Sequence, residues 1–274
     1  MVKEKFVTSA LSPATGGALQ LKWAIEVQST QLERRNLADL LNRLGFELIE
    51  ESPHVAFSSP GINGCATAAA VYEIGKKVRS SFVGPASIDT AFALGSVIDY
   101  SKNPASRHAF LEVQEAIHLH ETCDATLTVS PRPGLSEEEL NVWREKQEEA
   151  EYQARLDSQL SKLEPAYFNP KAARVLELLA VESHSGETLY KIYELMRGSR
   201  ANATAFGQQF GITDNNFRRF SDAVHLDSVT GDWARHAHGE AAKSGNPMTK
   251  EEAESFVRAI AHRWLEHIRA TRTV

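Results

Sequence analysis

Nine consecutive positions, Asp232-Trp233-Ala234-Arg235-His236-Ala237-His238-Gly239-Glu240, hold two carboxylates, an arginine and two histidines. A histidine exchanges protons near neutral pH, and an arginine grips phosphate oxygens through a planar fork. Together these groups suit phosphodiester cleavage without a metal. His236 or His238 would take the proton of a ribose 2′-hydroxyl while Arg235 stabilises the pentavalent phosphate. On a helix, Asp232 would lie one turn before His236 and orient its imidazole, with Arg235 and His238 as neighbours. A structural role uses the same residue types: Asp232, Arg235 and Glu240 as ion pairs that pin a loop, with Trp233 anchored in the core.

A second constellation lies just upstream. Ala203 to Phe210 reads as a short helix stopped by Gly211, with Ile212 as an apolar turn residue and Thr213 or Asp214 as the cap of a new helix. This is helix-turn-helix spacing. Asn215, Asn216, Arg218 and Arg219 on the second helix are the candidate base and phosphate readers, although Asp222 and Asp227 oppose a DNA surface.

Further along, His118 and His120 share one face of an expected strand, and a turn could bring Cys123 or Asp124 beside them as metal ligands. Ile117 and Leu119 account for the same alternation with the histidines on the wetter face, and no distal ligand motif accompanies them. No metal and no cofactor are therefore expected. Gly61-Ile62-Asn63-Gly64 follows a strand and opens a helix, but it lacks both the Walker lysine and the dinucleotide glycine pattern. A plain strand-helix turn is the expectation there.

The elements that must carry these groups follow from periodicity. Leu19, Leu21, Trp23, Ile25 and Val27 alternate with Gln20, Lys22, Ala24 and Glu26, which predicts a half-buried strand. Thr30 and Glu33 have capping-box spacing, and Leu37, Leu40, Leu41 and Leu44 make one helical face before the stop at Gly45. Short strands at Phe46 to Ile49 and Val55 to Phe57, an alanine-rich helix over Asn63 to Ser81, and a strand near Ser96 to Tyr100 complete the order strand, helix, strand, strand, helix, strand. That is the order of a split βαβ, or ferredoxin-like, unit. A hairpin of Ala109 to His120 with Ala125 to Val129 would extend the sheet up to Pro133.

Ser136 with Glu139 forms another capping box, opening a long charged helix with a thin seam of Leu140, Trp143, Ala150, Ala154, Leu160 and Leu163. Such a helix lies on a surface or connects domains, and Pro165 and Pro170 should end it. Everything beyond reads helical, with Phe256, Val257, Ile260, Ala261, Trp264, Leu265 and Ile268 as the clearest stripe. The expected fold is therefore α+β: a sheet domain over 1–133, a connecting helix over 134–164 and an all-α bundle over 165–274.

Composition narrows the function classes. The chain has 274 residues, a net charge of −6 and two cysteines, Cys65 and Cys123. Two cysteines cannot build a disulfide framework or a four-thiolate zinc site, which fits a reducing cytoplasm. The opening segment lacks the apolar run of a secretory signal, and no apolar stretch approaches the roughly 20 residues of a membrane span. Acidic residues crowd Glu137 to Glu164, whereas Arg218, Arg219, Arg235, Arg258, Arg263 and Arg269 collect in the last quarter. Any polyanion contact is therefore to be sought in that quarter.

The last hundred or so residues, with Trp233-Ala234-Arg235-His236-Ala237 and a closing helix after Pro247-Met248-Thr249-Lys250-Glu251-Glu252-Ala253, resemble HEPN-like domains of bacterial proteins. The family's motif is an arginine, four to six residues, then a histidine. Arg235 stands too close to His236 and His238 to match it, while Arg218 and Arg219 have that spacing to His225. The resemblance implies a helical bundle, an RNA partner, a homodimer in many members, and ribonuclease roles in stress or phage defence. The expectation is a protein that binds or cleaves RNA without metal, with Arg235, His236, His238 and Asp232 as its site. The alternative is a non-enzymatic protein-interaction module or a helix-turn-helix DNA binder.

Overall fold

Alternation along the first strand places Trp23 and Ile25 in the main core, and Ala24 and Glu26 on the opposite sheet face. The computed structural model describes residues 21–51, 54–110, 136–235, 242 and 244–272. Its elements begin with β1 (Trp23–Ser29), α1 (Arg34–Arg43), β2 (Glu47–Glu51), β3 (His54–Ser58), α2 (Pro60–Asn63), α3 (Ala68–Val83), β4 (Ala93–Asp99) and β5 (Ser106–His108). The strands lie side by side as β2-β3-β1-β4-β5, every neighbour antiparallel. The first four therefore stand 2-3-1-4: each helical crossover skips one strand, which is the expected split βαβ order. Among the described residues no helix is long and apolar enough to cross a membrane.

Three local details differ from expectation, each for a hydrogen-bonding reason. Helix α1 starts at Arg34 with no side-chain cap: the Thr30 hydroxyl accepts the Leu32 amide at 3.1 Å and donates to the buried Asp89 carboxylate, which keeps it in the preceding turn. Asp89 also accepts the Gln31 and Ala91 amides at 3.1 and 2.9 Å, so a buried charge is satisfied by three donors. The alanine-rich helix breaks after Asn63 and restarts at Ala68, capped by Thr67. The Asn63 side chain instead accepts the Lys22 and Trp23 amides, each at 2.9 Å, and so ties the turn to the start of β1. The added strand next to β4 is Ser106–His108, where an Ala109 start was expected. The rest of the expected hairpin falls at 111–135, outside the described residues.

Helix α4 (Glu137–Phe168) begins at the capping box of Ser136 and Glu139, as the spacing predicts. Its buried seam is Tyr152, Leu156, Leu160 and Leu163, whereas Ala150 and Ala154 are exposed. An aromatic at 152 shifts the seam: its ring lies under the Arg35 guanidinium, 3.9 Å away, and its hydroxyl donates to Asp39. The helix also runs past Pro165. That proline falls in the last turn and gives up a single backbone bond, and its carbonyl still accepts the Asn169 amide at 3.0 Å. Asn169 then caps α5 (Pro170–Leu179), with Pro170 in the first position where a missing N–H costs nothing.

The remaining helices are α6 (Gly186–Arg197), α7 (Ala203–Phe210), α8 (Asp214–His225), α9 (Asp227–Thr230) and α10 (Lys250–Thr271). They surround Phe220, which is fully buried among the rings of Tyr190, Tyr193 and Phe256. The predicted α10 stripe is buried from Val257 to Leu265, with Phe256 and Ile268 at its margins. Helix α4 feeds both apolar clusters, giving Leu156, Leu160 and Leu163 to the sheet side and Ala166 to the helical side. Leu160→Ala should therefore cost about 2–5 kcal/mol, as for a cavity in a closed core. Val142→Ala, on the exposed first half of α4, should stay within about 0.5 kcal/mol. Urea denaturation of the two variants measures both, and equal losses would contradict this division of the helix.

Candidate functional site

Arg235 is reached through a series of backbone anchors. A 3₁₀ turn at Gly231–Trp233 follows α9, and Ala234 is extended, so no helix carries Asp232 through Arg235. The helical register considered for Asp232 is thereby interrupted at Ala234, and His236 lies outside the described residues. Trp233 is held by its indole N–H, which donates to the His184 carbonyl at 2.5 Å. The Arg235 amide donates to Val224 at the end of α8, at 2.7 Å. Gly186 lets these segments meet, because a methyl there would stand 2.9 Å from the Val224 carbonyl oxygen and 3.0 Å from that of Trp233. His184 is itself buried, with one ring nitrogen 3.0 Å from Glu254 and the other 2.9 Å from the Leu178 carbonyl.

With its backbone fixed, the exposed Arg235 side chain lies over the Tyr190 ring, 5.3 Å from the centroid. The His225 ring packs edge-on against that same tyrosine at 4.3 Å. Asp232 is exposed, and among the described residues no carboxylate forms an ion pair with Arg235. Among the described residues the guanidinium therefore stands on an aromatic platform without a carboxylate partner. His236, His238 and Glu240 lie outside the described residues. Of the sequence-predicted site, Asp232 and Arg235 are thus placed, and they are not locked to each other.

The helix-turn-helix segment forms as its spacing predicts. Gly211 adopts the left-handed conformation at φ 68°, and the Thr213 hydroxyl accepts the Asn216 amide at the start of α8. Asn215 and Arg218 are exposed on that helix. Arg219 is turned back into the protein. Its Nε donates to the Asn246 carbonyl at 2.7 Å, and its guanidinium pairs with Glu252 at 3.3 Å, which latches the loop before α10 onto α8. Beside it, Asp222 is buried and accepts the Ser244 amide at 2.7 Å, so this acidic group serves the same loop. The proposed metal ligands His118, His120 and Cys123 lie outside the described residues, and no group of three metal-ligating side chains occurs among those described.

A polar centre on the sheet was not expected. Glu26 sits on the central strand β1, opposite a bulge in β4. Its carboxylate accepts the Ser96 amide at 3.2 Å and pairs with His54 of β3 at 2.7 Å and Arg107 of β5 at 3.0 Å. Burial opposes ionisation of Glu26, but the Ser96 N–H and the Arg107 and His54 cations outweigh it and hold its carboxyl below the usual range. The alternation of β1 already placed a carboxylate on the polar face. What periodicity does not show is which cations from distant strands reach it.

No family model, curated protein or solved structure matches this chain. Two outcomes follow from the geometry. Gly186→Ala, whose methyl meets backbone rather than a movable side chain, should cost about 1–3 kcal/mol in denaturant unfolding and redshift Trp233 emission. An unchanged midpoint would mean that the Arg235 turn is not pressed against α6. Glu26→Gln should flatten the acid limb of the stability curve. With its folded-state pKa depressed, Glu26 contributes stability above the unfolded value of about 4.3 and loses it as pH falls through the lower folded value. A variant whose stability still falls as steeply as the parent's below about pH 4 would exclude that contribution.

Proposed function

We propose that the helical C-terminal region binds RNA, with Arg235 on a backbone phosphate and His236 and His238 supplying the proton transfers of metal-free cleavage. The observation that supports this most is the Arg235 guanidinium, exposed, over the Tyr190 ring and unpaired among the described carboxylates. A guanidinium stacked on an aromatic ring keeps its fork of donors directed outward, the geometry in which it takes phosphate. Tyr190 is itself buried in the helical core, so its ring serves as a fixed support for the guanidinium.

In this reading Arg235 stabilises charge on the phosphate, one of the two histidines removes the 2′-hydroxyl proton and the other protonates the leaving oxygen. The HEPN-like resemblance agrees with such a bundle and with a homodimer. A place in stress or phage defence rests on the resemblance alone. Helix-turn-helix binding of DNA is the weaker reading, because Arg219 is committed to the loop before α10.

Fluorescence anisotropy with a short single-stranded RNA, together with a gel assay for its cleavage, tests the proposal. Arg235→Gln should weaken binding roughly tenfold and lower the salt slope by about one phosphate contact. His236→Ala with His238→Ala should stop cleavage and spare binding. Binding without any turnover in the parent protein would leave an RNA-binding module and remove the nuclease. Duplex DNA binding lost on Arg218→Gln but kept on Arg235→Gln would replace the RNA reading altogether.

A further inference from the structure

The centre around Glu26 is built from four strands. Glu26 comes from β1, His54 from β3, the bulged Ser96 amide from β4 and Arg107 from β5. A β-bulge frees an amide from the ladder and re-aims side chains, and here the freed Ser96 N–H is spent on the carboxylate. Gly95 completes the fit. A methyl at that position would stand 2.8 Å from Glu26 Oε2 and 2.9 Å from its Cγ, so the carboxylate lies where only glycine leaves room.

Two cations share this one carboxylate. His54 Nδ1 and Arg107 Nη1 both contact Glu26 Oε1, and Arg107 reaches Oε2 with the same nitrogen, at 3.0 Å. The Glu26 side chain is only 13% exposed, whereas His54 and Arg107 are 42% and 41% exposed. An approaching solute therefore meets the cations and not the anion. His54 has its Nε2 left over, and Arg107 has its Nε and Nη2, since among the described residues no other partner engages them. With the imidazole protonated the three charged groups sum to one positive charge, presented by donors whose inner sides are already fixed. Fixing donors before binding removes much of the ordering cost of binding.

We infer that the outer sides of His54 and Arg107 form a binding site for a phosphate monoester, carried either by an RNA end or by a free nucleotide. The site is separate from Arg235 and does not rest on the reading given to it. Phosphate fits the donor set: an arginine edge from β5 and an imidazolium N–H from β3, brought together over β1 and β4 by their shared carboxylate, can each take a different oxygen of one tetrahedral group. Glu26 acts as a positioning residue that holds both donors. Gly95→Ala probes that role directly, because the methyl displaces a flexible carboxylate rather than backbone, and neither cation is removed.

Calorimetric titration of inorganic phosphate into Arg235→Gln protein at about pH 6 keeps the two sites apart. Binding is expected in that background, weakened roughly tenfold by Arg107→Gln and several-fold by His54→Asn or Gly95→Ala. Tighter binding of a 5′-phosphorylated RNA than of its 5′-hydroxyl counterpart would assign the site to an RNA end. Equal RNA affinities with binding of a nucleoside monophosphate would assign it to a free nucleotide. Absence of phosphate binding in the Arg235→Gln protein overturns the inference, as does binding unaffected by both His54→Asn and Arg107→Gln. His54 lies on β3, which does not pair with β5, so its variant remains informative if loss of Arg107 loosens β5.

Discussion

Everything in this molecule hangs on the second half of helix α4. Leu156, Leu160 and Leu163 close the core beneath the sheet, and Ala166, one turn further on, belongs to the core of the helical region. Polar contacts fix the helix at both places: Asn36 to Gln159 at 2.9 Å and Arg35 to Glu149 at 2.7 Å toward α1, and Arg269 to Glu164 at 2.8 Å toward α10. The Arg35 pair holds the Glu149 carboxyl down to about 2, although both groups are half exposed and solvent screens the bond. Apolar burial therefore fixes the helix, and the ion pairs set its rotation. A helix that must satisfy two cores has no freedom to turn about its axis without emptying one of them.

Constraint of the same kind positions Arg235. Most arginines of the C-terminal region with described contacts are neutralised locally: Arg219 by Glu252, Arg258 by Glu254 and Arg269 by Glu164. Those pairs hold helices and loops in place. Arg235 differs because its contact is a ring and its backbone is the part that is anchored, through Trp233, Val224 and the gap left by Gly186. Rigid backbone under a cation that no described carboxylate engages is the division of labour that a binding group needs.

The layout of the sheet was legible because a period of two and a period of 3.6 are local properties, visible in Ile25 and Val27 or in Leu37, Leu40 and Leu41. Stops were legible for the same reason, as at Gly211 and Thr213. Capping boxes were less secure: Ser136 with Glu139 formed, while the Thr30 hydroxyl accepts the Leu32 amide and donates to Asp89, some 59 residues along the chain. The same limit hid the Glu26 centre. Arg107 stands 81 positions from Glu26, and only strand pairing brings it and His54 to the same carboxylate. Density of reactive residue types pointed to Asp232 through Glu240, yet density carries no information about backbone path, and the extended Ala234 removes the helical register on which the Asp232–His236 geometry depended.

The balance of charge limits what kind of polyanion contact such a chain makes. At a net charge of −6 it cannot coat a nucleic acid through a broad positive field, and like-charge repulsion opposes long contacts. On the proposed reading, binding comes from single, preorganised cations that retain donors after their own anchoring is complete. Arg235 over Tyr190 and the His54–Arg107 pair over Glu26 both meet that condition, by different means: an aromatic face in one case, a buried carboxylate in the other. Few phosphate contacts mean a shallow salt dependence and modest affinity, because each neutralised phosphate releases about one counterion. In the proposed reading that regime suits a strand held briefly at defined phosphates, with selectivity drawn from end chemistry rather than from the length of the contact.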